Sequence, residues 1–102
     1  MSQTRSKIKE IIEQYKKALL KLGIKTQKIV LFGSHAKGTP RKDSDIDLIV
    51  VSKDFKRLNL RERLEILGIA AARIMKPVEA IGYTPQEIQH HSNSSFLKEV
   101  LN

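Results

Sequence analysis

The chain has 102 residues and a hydrophobic content of 40%, enough for one small domain with a modest core but not for a second substrate-binding domain. It contains no cysteine, which excludes a disulfide framework and a cysteine-ligated zinc site and agrees with a reducing compartment, so a cytoplasmic protein is expected. The formal charge is +8 at pH 7, no apolar run approaches the roughly 20 residues that span a bilayer, and Met1 to Arg5 lack the apolar core of a signal peptide.

Much of the positive charge lies early in the chain. Arg5, Lys7, Lys9, Lys16, Lys17, Lys21, Lys25 and Lys28 precede Ile29, against only Glu10 and Glu13. The simplest account is the solvated face of an amphipathic helix, and the alternative is a nucleic-acid footprint on that helix. Ile8, Ile11, Ile12, Tyr15, Leu19 and Leu22 recur at helical spacing in the same stretch, which predicts a helix over residues 4–22 that ends at Gly23. Lys28 to Phe32 is a short β-branched run that stops at Gly33, the pattern of a buried strand feeding a tight turn. Residues 34–37 fit one helical turn before Gly38, Thr39 and Pro40 close a loop.

Asp45 to Ser52 reads as a central strand, because Leu48 to Val51 are apolar on both faces and call for helices above and below. Residues 53–58 read as a charged connection. Asn59 followed by Glu62 has the pattern of a helix N-cap, and Leu60, Leu64, Leu67, Ala71 and Ile74 mark a second amphipathic helix that stops before Pro77. Val78 to Tyr83 is a third strand with Glu79 near its start and Tyr83 on the same face, the latter read as core ahead of a base-stacking residue. Thr84, Pro85 and Glu87 form a capping box that opens a short helix fading at His90 and His91. After a polar spacer, Phe96, Leu97, Val100 and Leu101 make an apolar tail, so residues 1–102 read as one domain with a docking tail over 92–102.

The chemistry concentrates between Gly33 and Asp47. Asp45 and Asp47, one residue apart at the head of a strand, point to the same side of the sheet with Cα atoms about 6.6 Å apart. Aspartate is depleted in strands, and two facing carboxylates repel unless a cation lies between them. Hard oxygen ligands suit Mg²⁺, which takes one or two carboxylates and completes its shell with water and substrate phosphate. Upstream, Gly33 tolerates positive φ, and the free N–H groups of the turn together with the Ser34 hydroxyl can face a phosphate. The spacing Gly33 to Gly38 imitates a Walker loop, but Thr39 and Pro40 stand where the lysine is required, which disfavours a P-loop NTPase. Glu79 is a third carboxylate that a neighbouring strand could set across from Asp45 or Asp47, as a base or a metal ligand; the alternative is an exposed glutamate on an edge strand. His90 and His91 lack an acid or cysteine to complete a metal set and read as helix-end residues.

Gly33 and Ser34, then ten residues, then Asp45, Ile46 and Asp47 resemble the GSx10DxD signature of the DNA polymerase beta-like nucleotidyltransferase superfamily. Gly33-Ser34-His35-Ala36-Lys37-Gly38 is similar to the GSxAxG form of its minimal nucleotidyltransferase branch, and Ser44-Asp45-Ile46-Asp47-Leu48 to the SDxDL form. The resemblance implies an α/β (α+β) nucleotidyltransferase fold, a small mixed β-sheet flanked by helices. It implies Mg²⁺ held by Asp45 and Asp47, with Glu79 as the third acid. It further implies a nucleoside triphosphate held by Gly33 and Ser34, with Lys37 and Ser44 as neighbouring contacts, and transfer of a nucleoside monophosphate, AMP from ATP, to a hydroxyl. Members of this branch are commonly partnered with a helical HEPN toxin as its antitoxin, and some transfer AMP to a tyrosine of that toxin. The third acid of the family is often aspartate where this chain has Glu79, and Lys37 offers a point charge where arginine is common. Alternatives from other classes are a non-catalytic antitoxin that keeps the fold and a basic nucleic-acid-binding domain; self-association into a homo-oligomer is a further option, and no membrane partner is expected.

Overall fold

Ile8, Ile11, Tyr15, Ala18 and Leu19 are buried along one side of helix α1 (Arg5–Lys21), while Lys9, Lys16, Lys17 and Lys21 remain exposed on the others. This separation is the helical period of the sequence realised in three dimensions. It comes from a computed structural model of the chain, which describes residues 5–33 and 46–90. The helical turn expected at 34–37, the loop that follows and the apolar tail over 92–102 lie outside those residues. Gly23, at φ +90°, ends α1, with the N–H groups of Leu22 and Ile24 returning to the Leu19 carbonyl.

Strands β1 (Lys28–Phe32), β2 (Ile46–Val51) and β3 (Val78–Tyr83) form one sheet in the order β1-β2-β3. β1 runs antiparallel to β2, and β3 runs parallel to it. The parallel return requires a crossover, supplied by helix α2 (Leu60–Ile74). Central placement of β2 follows from its two apolar faces. Ile46, Leu48 and Val50 pack into the main core with α1 and α2, whereas Ile49 and Val51 form a second cluster with Val30, Phe32, Tyr83 and Ile88 of helix α3 (Pro85–Gln89). Tyr83 is half-buried and packs against this second cluster. The Tyr15 hydroxyl donates to the Leu67 carbonyl at 2.8 Å and pins α1 to α2, and burial pushes the phenol above its ordinary value of 10.

Both helix starts expected from sequence are present as reciprocal capping boxes, Asn59 with Glu62 and Thr84 with Glu87. Met75, at φ 54°, closes α2 in the left-handed region just before Pro77. Two expectations need correction. The connection over 53–58 holds a 3₁₀ turn (Lys53–Arg57) with Phe55 fully buried, and Ser52 leaves the strand to cap it, its Oγ accepting the Asp54 N–H at 3.1 Å. Helix α2 buries Leu67 and packs Ala71 and Ile74 against the core as expected, but Leu60 and Leu64 are 69% and 58% exposed, and Arg63 and Ala70 are buried beside Leu67.

Hydrogen bonds explain the burial of Arg63. Its Nε–H is shared between the carbonyls of Phe55 and Leu58, both at 3.1 Å, and one Nη donates to Phe55 O at 2.8 Å. The other Nη reaches the Gly82 carbonyl at 3.3 Å and the Glu87 carboxylate at 2.7 Å. The guanidinium also lies 5.7 Å from the centre of the Phe55 ring. A buried cation is tolerated only when its protons are this fully satisfied, and the geometry forces residue 63 to the inside of α2. Gly82 completes the arrangement, since a Cβ there would stand 2.9 Å from the Phe55 ring.

Replacing Gly82 with alanine should overpack that contact and lower the unfolding free energy by about 1–3 kcal/mol in urea titrations. Acid should act through Glu87. Partial burial opposes its ionisation, but the hydrogen bonds from Arg63 and Thr84 and the Arg63 charge outweigh that, holding the carboxyl below its ordinary 4.5. A folded-state value below the unfolded one adds stability above pH 4.5 that is lost as pH falls through the folded value. Stability of the Glu87→Gln variant should accordingly show a shallower decline below pH 4.5 than the parent chain, measured by chemical denaturation across pH.

Candidate active site

β1 ends at Phe32, and the chain turns at Gly33 with φ +78°. The antiparallel register sets Phe32 opposite Asp47, and the parallel register sets Glu79 beside Asp47 on the other side. Phe32, Asp47 and Glu79 thus form one row across the sheet. Alternation along each strand sends all three to the face opposite α1 and α2, because Leu31, Ile46, Leu48 and Ala80 belong to the helix-covered core. Asp47 is half-buried and Glu79 is exposed.

Gly33 is required twice at this position. Its positive φ is one that side chains rarely adopt, and a Cβ built on it would sit 3.2 Å from Cγ and 3.3 Å from Cβ of Asp47, colliding with Oδ2. The turn glycine and the second aspartate, distant in sequence, are therefore in contact in the fold. Hydrogen in place of a side chain is what lets the Asp47 carboxylate stand against the turn.

Of the expected site residues, the structure brings together Gly33, Asp47 and Glu79; Ser34, Lys37, Ser44 and Asp45 lie outside the described residues. Glu79 is an exposed residue of β3, at the edge of the three-stranded sheet, and the register partner of Asp47. Phe32, read from sequence only as strand core, flanks Asp47 on its other side; its place follows from antiparallel pairing immediately before the Gly33 turn. His90 stands past the end of α3, its N–H bonded to Gln86 O, near neither carboxylate in the register.

No group of three or more His, Cys, Asp or Glu that could hold a metal occurs among the described residues. The pair that is present nonetheless fits a hard divalent cation in its chemistry. Two carboxylates on adjacent strands about 4.8 Å apart, directed to one face, offer oxygen donors of the kind Mg²⁺ takes alongside water and phosphate. Without a counter-charge they would repel each other.

Three comparisons with known proteins bear on this geometry. A family model described as a nucleotidyltransferase domain matches residues 7–100. A protein of Methanocaldococcus jannaschii, provisionally named a protein adenylyltransferase, is 32% identical over 94 residues, 91% of each chain. A second protein of that organism with the same provisional name is 41% identical over 64 residues, and the match spans 63% of that relative's length. A crystal structure of a provisionally assigned nucleotidyltransferase from Sulfolobus solfataricus superposes with a TM-score of 0.54 at 24% identity, covering 87% of this chain and 83% of that one, a likeness of fold. With nearly its whole length matched and the three-stranded mixed sheet in place, the chain belongs to the nucleotidyltransferase domain family.

Proposed function

We propose that the chain is a Mg²⁺-dependent adenylyltransferase that moves AMP from ATP to a hydroxyl of a partner protein, and that it acts in the cytoplasm as the antitoxin of a HEPN toxin. The observation that carries this reading is the row in which Asp47 and Glu79 stand side by side with Gly33 against the Asp47 carboxylate. The names of the two M. jannaschii relatives support a protein as acceptor.

Asp45 and Asp47, together with Glu79, would hold Mg²⁺, which when bound neutralises triphosphate charge and stabilises the oxygens of an in-line displacement. Gly33 and Ser34 receive the phosphates through turn N–H groups and a hydroxyl, with Lys37 and Ser44 as flanking contacts. Glu79 accepts the proton of the incoming hydroxyl or completes the ligand set. The acceptor oxygen bonds to the α-phosphorus while the bond from that phosphorus to the bridging oxygen breaks, and pyrophosphate leaves. Little covalent chemistry is asked of the protein, whose contribution is positioning and charge.

Incubation with a HEPN partner, α-labelled ATP and Mg²⁺ should add the mass of AMP to the partner, and chelation of the metal should stop the transfer. Asp47→Asn should slow transfer at least about 100-fold, the scale expected when one electrostatic contact to the developing charge is lost. Gly33→Ala should also impair it, through strain and displacement of Asp47. Undiminished transfer by Asp47→Asn would remove the metal assignment. If a variant with both Asp45 and Asp47 changed to asparagine still neutralised the toxin, the non-catalytic antitoxin reading would replace this one.

A further inference from the structure

The end of the sheet away from Asp47 and Glu79 has a different character. There β1 begins at Lys28, paired with Val51 at the end of β2. Four hydrogen bonds tie the segment 25–28 to the segment 51–54. Gln27 N–H donates to Val51 O at 2.8 Å, Lys25 N–H to Asp54 Oδ2 at 2.8 Å, Ser52 Oγ to Lys25 O at 2.7 Å, and Lys53 N–H to Gln27 Oε1 at 2.8 Å. These bonds fix two stretches of backbone side by side and so gather Lys25, Lys28, Lys53, Lys56 and Arg57, all of them exposed. Asp54 is the one carboxylate on these segments, and one of its oxygens is occupied by the Lys25 N–H. None of the five cations is ion-paired to a described residue.

We infer that this basic end is a docking surface for the phosphate backbone of nucleic acid, bound without base preference. The alternative partner for such charge is an acidic protein, and the composition of the patch disfavours it. Protein interfaces are enriched in aromatic residues and arginine and depleted in lysine, whereas here four of the five cations are lysine and Phe55, the aromatic of the segment, is fully buried. Sequence reading is equally unsupported. No aromatic side chain is exposed on these segments for stacking, and the amide oxygen of Gln27 already accepts the Lys53 N–H. What remains is neutralisation of phosphates by flexible point charges, which supplies affinity and salt dependence but no sequence information. The four residue steps of β2 from Asp47 to Val51 put this end roughly 13 Å from Asp47 and Glu79, so it is a site apart from the place of a triphosphate.

The test is fluorescence anisotropy of the full chain with two labelled 16-base-pair DNA duplexes of unrelated sequence, between 50 and 200 mM NaCl. Five phosphate contacts give a log–log slope of about −4.5, so affinity should fall about 500-fold over that range, equally for both duplexes. A variant carrying Lys53→Gln, Lys56→Gln and Arg57→Gln should bind more weakly at 50 mM, with a slope shallower by nearly three units. Its label transfer from ATP to the partner protein should be unchanged. A second variant, Lys25→Gln with Lys28→Gln on the other segment, should flatten the slope by nearly two units and stands in if the first melts early. Absence of binding at 50 mM, a flat salt response in the parent chain, or parental slopes in both variants would overturn the proposal. So would a strong preference for one duplex. Loss of partner-protein capture by the variants with duplex affinity intact would assign the surface to an acidic protein instead.

Discussion

The register of β2 against its two neighbours is the constraint on which the rest of the molecule depends. Side chains alternate along a strand, so a slip of one residue would send Asp47 into the helix-covered core and expose Leu48, which is fully buried. The penalty for that exchange, a carboxylate desolvated and a leucine exposed, is what selects the observed pairing. The same register that buries Ile46, Leu48 and Val50 under α1 and α2 delivers Asp47 to the opposite face, between Phe32 and Glu79. Core formation and assembly of the acidic pair are thus one event.

A second tie keeps the sheet and its crossover in step. Arg63 joins the 3₁₀ turn, the end of β3 and the start of α3 through carbonyls and one carboxylate. These are the segments that follow β2 and β3 at the end remote from Asp47 and Glu79. This tie lies where no catalytic group is expected; among the described residues, strand pairing and the Ile46 N–H bond to the Pro77 carbonyl join the segments at the acidic end. Among the described residues, Asp47 and Glu79 stand toward one end of β2, and the exposed cations Lys25, Lys28, Lys53, Lys56 and Arg57 stand with Asp54 at the other.

Much of this was legible in the chain because the governing interactions are local. The strands at 28–32 and 78–83 are β-branched or apolar runs bounded by glycine or proline, and both capping boxes are made within three residues of sequence. The 3₁₀ turn was not legible, since Phe55 stands alone among charged residues and has no period to announce it. The exposure of Leu60 and Leu64 at the start of α2 was not legible for a related reason. Hydrophobic periodicity counts Arg63 as polar and therefore outward, whereas three carbonyls from two other segments draw it inside. For the acidic pair, spacing could bring Glu79 near either aspartate of the motif, and only the long-range register assigns it to Asp47.

The central claim is that this register builds a metal–nucleotide site at one end of the sheet. Its most direct test is nuclear magnetic resonance of the labelled chain with an ATP analogue that cannot be cleaved and substoichiometric Mn²⁺ in place of Mg²⁺. Paramagnetic broadening falls steeply with distance, so the amide signals of Gly33, Asp47 and Glu79 should broaden first while those of Lys28, Val51 and Tyr83, at the far end of their strands, stay sharp. Broadening centred on Lys28 and Val51, or broadening unchanged in the Asp47→Asn variant, would contradict the account.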